Sequence, residues 1–267
     1  MLSSSAKNTG FTLIELAVVL VIIGVILSGV QSFYRDTIEV SDFVKINAQL
    51  ESINQSVIAF AIKNKRLPCA DTNGNGYEGN TTGSTAVTCG VGTSNQTGAV
   101  PYKTLEMNQM ANTQTDLQKR NIIYGVYRNS NANTLIDADL AAIKERTGDI
   151  NTESQYYENN YDFIKALANA INKVNSSSFI YTTGSTAVNE NCATFINENH
   201  AYILVSAGIE DADNNGNVFD GVNANLNLNG SGTTCFSSAL KRKSNRYDDV
   251  VMVMNFQSLI GRLNTIN

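Results

Sequence analysis

The chain has 267 residues, a formal net charge of −5, 42% hydrophobic residues, a single His and no Trp. That length accommodates one large domain or two small ones with a sizeable core, and the mild acidity excludes general affinity for phosphate backbones, which needs a local excess of Lys and Arg. The apolar residues are unevenly spread, with one uninterrupted block near the N-terminus and short runs after it, the pattern of an anchor followed by a polar head.

The block is FTLIELAVVLVIIGVILSGV, residues 11–30, twenty positions that as a helix reach about 30 Å, the thickness of a bilayer's hydrocarbon core. Lys7 lies in the short polar leader before it, a charge that favours keeping that end cytoplasmic and sending the rest of the chain across. A secretory signal peptide carries a small-residue cleavage site after its apolar region, and no such boundary follows Val30. Glu15 stands a turn into the block, where an ionised carboxylate costs several kcal/mol unless it is paired or interfacial. A cut between Gly10 and Phe11 would place a new α-amino group four residues before Glu15, on the same helix face, or offer it to a neighbouring subunit.

Gly10 followed by Phe-Thr-Leu-Ile-Glu-Leu through Leu16 resembles the prepilin signature in full. The resemblance implies cleavage after Gly10 by a prepilin peptidase, methylation of the Phe11 amine, and pairing of Glu15 with the N-terminus of an adjacent subunit during assembly. Type IV major pilins, minor pilins and the pseudopilins of type II secretion share this signature, and it does not choose among them. Many relatives carry a helix-breaking Pro in the segment, whereas here the first Pro is Pro68.

After the block, Phe43, Ile46, Leu50, Ile53, Val57 and Phe60 recur at steps of three and four with polar residues between them, so the helix continues with an apolar face for packing against the head. It should end near Asn64, because Leu67-Pro68 and the turn-forming run that follows disfavour helix. Strands are expected at residues 122–127, 179–182, 201–205 and 250–254, all β-branched or aromatic runs bounded by turns. A helical insertion with Ile164, Leu167, Ala168, Ile171 and Val174 at helical spacing lies between the first two, with a weaker helix over 135–146. A last amphipathic helix runs through Phe256, Leu259, Ile260 and Leu263. The expected fold class is α+β: a long N-terminal helix, transmembrane then amphipathic, on a small, mostly antiparallel sheet, pilin-like, with a helical insertion. The domains are a leader at 1–10, the helix at 11–64 and the head at 65–267.

The four cysteines, Cys69, Cys89, Cys192 and Cys235, lie in the head without the Cys-x-x-Cys spacing of zinc or redox sites. Disulfides follow, with buried free thiols as the bland alternative. Three connectivities are open, and proximity favours Cys69 with Cys89 and Cys192 with Cys235.

Asp211, Asp213, Asn215, Gly216 and Asn217 follow D-x-[DN]-x-[DN]-G, alternating oxygens with a turning glycine that wrap a hard cation. Calcium suits this set. Val222 occupies the place of the bidentate Glu of an EF-hand, so Asp220, Asp248 or Asp249 must complete the coordination; a plain Asx-turn loop is the alternative. The order Ser206 to Gly208, the loop from Asp211 to Asp220, then Asp248-Asp249 before Val250 resembles, more loosely, the C-terminal pattern of pseudopilins, several of which bind calcium there. The earlier run Asp71, Asn73, Asn75, Gly76 reads as turn chemistry.

Lys241, Arg242, Lys243 and Arg246 form the one basic cluster, a solvated face or a contact for DNA. His200 reads as structural, and no nucleophile elbow or phosphate loop accompanies it, so the chain is not expected to be an enzyme. The resemblance therefore implies a structural subunit, a pseudopilin or minor pilin of a type IV pilus-like or type II secretion filament. Its partners would be the prepilin peptidase, other pilins and an inner-membrane assembly platform. Its expected place is the bacterial inner membrane as a single-pass protein with a periplasmic head, and then the pilus or pseudopilus. The alternative is a pilus-borne module that binds DNA, a surface or a secreted substrate.

Overall fold

A computed structural model describes residues 13–79, 89, 95–107, 122–133, 135–142, 160–186, 190–228, 230 and 233–264, with the side chains of 29–41 and 160 outside the description. The leader at 1–10 and Phe11 lie outside the described residues. The chain divides into two units, Met1–Lys45 and Ile46–Asn267.

Helix α1 runs Leu13–Asn64, without an internal Pro to break it. In the first unit every large apolar side chain from Leu13 to Leu27 is exposed, Leu13 at 88%. Among the described residues no helix is long and apolar enough to cross a membrane. The described side chains of the apolar block end at Ser28, and the expected span of 11–30 extends past them at both ends.

In the second unit α1 buries Ile46, Leu50, Ile53, Val57, Ile58 and Ala61, the face that the steps of three and four marked out. Phe60 packs against the core half-buried, whereas Phe43 is 52% exposed and belongs to the first unit. The helix ends where expected, as Lys65 turns to a positive φ of 55° and its N–H closes on the Ala61 carbonyl at 2.9 Å.

Two sheets form where one was expected. The larger is antiparallel in the order β1-β2-β5-β7, with β1 at Thr97–Ala99, β2 at Ile122–Val126, β5 at Tyr202–Ser206 and β7 at Val250–Met254. The smaller, β4-β3-β6, joins Tyr181–Thr182 (β3) antiparallel to Glu198–Asn199 (β4) and parallel to Cys235–Phe236 (β6). β2 and β5 are buried at every position, as a sheet covered on both faces requires. Among the described residues β7 is an edge, paired only with β5, and Val250 to Val253 are each half-buried without alternation.

Helix α2 (Asn160–Ile171) buries Phe163, Ala166, Leu167 and Ala170. Its core face is therefore turned by a residue from the expected stripe: Ile164, Ala168 and Ile171 flank it, and Val174 lies beyond the helix at 89% exposure. Helix α3 (Phe256–Asn264) buries Phe256 and Leu259 as expected.

The weaker helix over 135–146 is not formed in its described part, where residues 135–142 make turns. Their polar groups are claimed from outside. Asp139 forms a buried ion pair with Arg128 at 2.9 Å, the Leu140 carbonyl accepts the Leu67 N–H at 2.8 Å, and the Leu140 N–H reaches Tyr127 O at 3.2 Å. Residues 143–146 lie outside the description.

Both favoured disulfides are present, Cys69–Cys89 and Cys192–Cys235, and no cysteine is free. They close sequence separations of 20 and 43 residues, which by loop entropy is worth about 3 and about 4 kcal/mol.

Candidate functional site

Two loops of the head share the D-x-[DN]-x-N-G pattern and close in the same way. In the first, the buried Asp71 carboxylate accepts the N–H groups of Asn73, Gly74 and Gly76 at 3.1, 2.8 and 2.6 Å. Gly76 sits at φ 86°, a conformation that side chains rarely adopt. Lys103 completes this loop from within the chain: its ammonium donates to the Asn75 carbonyl at 2.6 Å and lies 5.0 Å from the centre of the Tyr77 ring. That is the turn chemistry expected of Asp71, Asn73 and Asn75.

In the second loop, Asp211 accepts Asn215 N and Gly216 N at 3.0 and 2.8 Å, and Gly216 has φ 83°. Asn215 and Asn217 spend their side-chain oxygens on the N–H groups of Asn217 and Phe219 at 2.7 and 3.1 Å, so both serve to close the loop. The surroundings here are acidic. The carboxylates Asp211, Asp213 and Asp220 come within 4.8 Å of one another, as do Asp220, Asp248 and Asp249.

Asp220, which is fully buried, joins the two groups. Its oxygens accept Asp213 N at 3.2 Å and Asp248 N at 2.8 Å. Asp249 Oδ2 accepts Asp220 N at 3.0 Å and the Asn223 amide at 2.9 Å; Asp248 Oδ2 accepts Ile209 N at 2.9 Å and Glu210 N at 3.2 Å. Asp248 Oδ1 and Asp249 Oδ1 are buried with no hydrogen-bond partner. Gly208 makes room for this, since a Cβ there would overlap Asp248 Oδ1.

Leaving a carboxylate oxygen buried and unpaired is costly, and the cost shows in proton affinity. Burial pushes Asp249 up to about 7 and Asp248 up to about 6. Asp213 lies at the open side, and the Gly221 N–H, the largest influence, pulls it below its ordinary value. Hard cations take carboxylate oxygens and would remove the cost of burying them, so Asp220, Asp248 and Asp249 are residues that could hold one. All five sequence-marked aspartates are thus brought together. Asn223 went unmarked, because an uncharged residue in an Asn-rich stretch carries no motif.

Elsewhere, His200 is buried with Nε2 3.0 Å from Thr182 Oγ1, and burial holds it down at about 4. Of the basic cluster, Lys241 is turned inward, paired with Glu190 at 2.6 Å and 3.6 Å from the Tyr247 ring centre. Arg242, Lys243 and Arg246 remain on the exposed side. Glu15 occupies the exposed first turn of α1.

The raised Asp249 fixes a sign. Its folded-state value of about 7 lies above the ordinary 3.8, so between those values the folded state holds a proton that the unfolded chain releases, and its contribution to stability falls as pH rises through that window. In chelator, Asp249→Asn should therefore melt higher than the natural protein at about pH 8, with the gap closing toward about pH 4. Melting curves that show a pH-independent difference would contradict the assignment.

The family model described as the prokaryotic N-terminal methylation motif matches residues 5–30. No curated protein and no solved structure matches the chain. The match spans Gly10, Phe11 and Glu15, and the motif implies processing by a prepilin peptidase and assembly with other pilins. The chain thus carries at its N-terminus the signature of type IV pilins and pseudopilins, which points to a structural, pilin-like subunit.

Proposed function

We propose that the chain is a pseudopilin or minor pilin, cut between Gly10 and Phe11, methylated on Phe11, and assembled through α1 into a membrane-rooted filament of the type IV pilus or type II secretion kind. The observation that carries this is the pairing of the methylation motif at 5–30 with a helix whose large apolar side chains from Leu13 to Leu27 are all exposed. Such a surface needs lipid or like helices around it. In this reading residues 11–30 hold the precursor in the inner membrane, the head projects into the periplasm, and the assembly platform moves the helix from lipid into the filament. Glu15 then pairs with the Phe11 amine of a neighbour, which offsets the cost of a carboxylate in an apolar setting. The second unit, with its own core and two disulfides, is the surface-displayed part of a pilin-like fold.

In the same reading, calcium sits against Asp220, Asp248 and Asp249, with Asp211, Asp213 and the loop closed by Asn215 and Asn217 as its outer wall. The two buried unpaired oxygens support this. The ion's role is structural: it neutralises carboxylates that otherwise repel and ties the loop to the start of β7.

Mass spectrometry of the membrane-extracted protein, made with and without a prepilin peptidase, tests the processing. The expected result is a peptidase-dependent start at methylated Phe11; an intact Met1 in both cases would remove the filament reading. Glu15→Ala should leave membrane insertion intact and lower incorporation in a subunit crosslinking assay, and undiminished incorporation would sink the role given to Glu15. Calcium should raise the melting temperature of the chelated protein, because a ligand that favours the native state stabilises it. An unmoved midpoint at millimolar calcium would count against the ion.

A further inference from the structure

Behind the acidic cluster a line of hydrogen bonds runs to a disulfide. Asp249 is only 7% exposed. Its Oδ2 is held by Asp220 N at 3.0 Å and by the Asn223 amide at 2.9 Å, and this leaves Oδ1 buried without a partner on a residue grouped with Asp220 and Asp248. Asn223 sits fully buried on a 3₁₀ turn, Gly221–Asn225. Its own Oδ1 accepts the Ser237 N–H at 2.9 Å, and its amide also faces the Tyr247 hydroxyl at 3.3 Å.

Ser237 is in turn fixed twice. It directly follows β6, whose Cys235 is bonded to Cys192, and its hydroxyl donates to Glu190 Oε1 at 2.8 Å. Glu190 lies just before Cys192 in the chain and is held by Lys241 at 2.6 Å. The arms 190–192 and 235–237 are therefore clamped at one end by the disulfide and at the other by the Ser237–Glu190 hydrogen bond. The strand pairing beside them is short, Tyr181 with Cys235 and Thr182 with Phe236, and the Thr183 N–H adds a bond to the Phe236 carbonyl at 2.9 Å just before Ser237.

We propose that Asn223 is the positioning residue of the cation seat and that the Cys192–Cys235 disulfide sets Asn223 through Ser237, so that cation affinity and this disulfide are linked. The inference rests on the cation reading above. Partners behind a ligand orient it and change metal affinity about 10- to 100-fold when removed. Linkage between two sites is reciprocal, so the cation must protect the disulfide by the factor by which the disulfide strengthens cation binding.

Terbium titrations of the full chain in detergent test it. The protein has no Trp, and Tyr247, within hydrogen-bonding distance of Asn223, is placed to sensitise the emission. Asn223→Ala and the double variant Cys192→Ser, Cys235→Ser should each weaken terbium binding about tenfold, while Cys69→Ser with Cys89→Ser keeps the natural affinity. If the natural protein gives no saturable emission, the cation reading itself fails. If it binds and the first two variants bind equally well, the reading stands and the linkage falls.

A measurement on the natural protein avoids any folding defect of the variants. Equilibration with a dithiol redox buffer converts each bond to two protein thiols as the buffer dithiol becomes its cyclic disulfide, and alkylation then records each bond by mass. Calcium should raise the oxidised-to-reduced ratio of Cys192–Cys235 about tenfold relative to chelator and leave that of Cys69–Cys89 unchanged. Equal protection of both bonds, or none, would overturn the linkage.

Discussion

The first turns of α1 cannot remain in water. Each Leu, Ile or Val left exposed forgoes about 1.5–3 kcal/mol, and all those from Leu13 to Leu27 are exposed, a deficit on the order of tens of kcal/mol that exceeds the net stability of a typical domain. Whatever covers that surface decides where the protein resides. The exposed apolar turns and the turns that enter the core are different stretches of the same helix, in different units of the chain. The head draws on the later turns, from Ile46 to Ala61, whose buried residues share one core cluster with those of β2 and β5.

Inside the head, polar groups are satisfied by short side chains more than by charge pairs. Asn and Asp close both D-x-[DN]-x-N-G loops on their own backbone, and Asn199 alone ties Ser176, Phe179 and Ile180 through one amide. Among the described residues, the buried Arg66–Glu78 and Arg128–Asp139 ion pairs each also fix a stretch of irregular backbone. The two Asx loops close alike and differ in what surrounds them. Lys103 brings its own positive charge to the first, and the second is surrounded by carboxylates.

Long periodic segments were legible in the sequence, because burial imposes a spacing that composition then displays. This holds for α1 and α3, whereas β2, β5 and β7 were legible as β-branched or aromatic runs bounded by turns. Of the two-residue strands, β3 falls inside the run expected at 179–182, whereas β4 and β6 had no such signal: two residues cannot show alternation, and Glu198–Asn199 has no β-propensity to show. The missing helix over 135–142 had the opposite fault, since its apolar spacing was real but Arg128, Leu67 and Tyr127 claimed its polar groups. The aspartates of the candidate site could be picked out by type and interval. Asn223 could not, because its role arises only from three elements meeting around it.

β7 is the strand Val-Val-Met-Val-Met, open along one side among the described residues and without the Lys, Pro or bulge that usually blunts such an edge. A strand of this kind is a template for any extended chain that reaches it, so heads held free at high concentration would tend to stack edge to edge into insoluble material. Dilution, a mild detergent or a neighbouring subunit lying along that side would each suppress this. Handling the isolated protein therefore becomes a matter of keeping one five-residue backbone occupied.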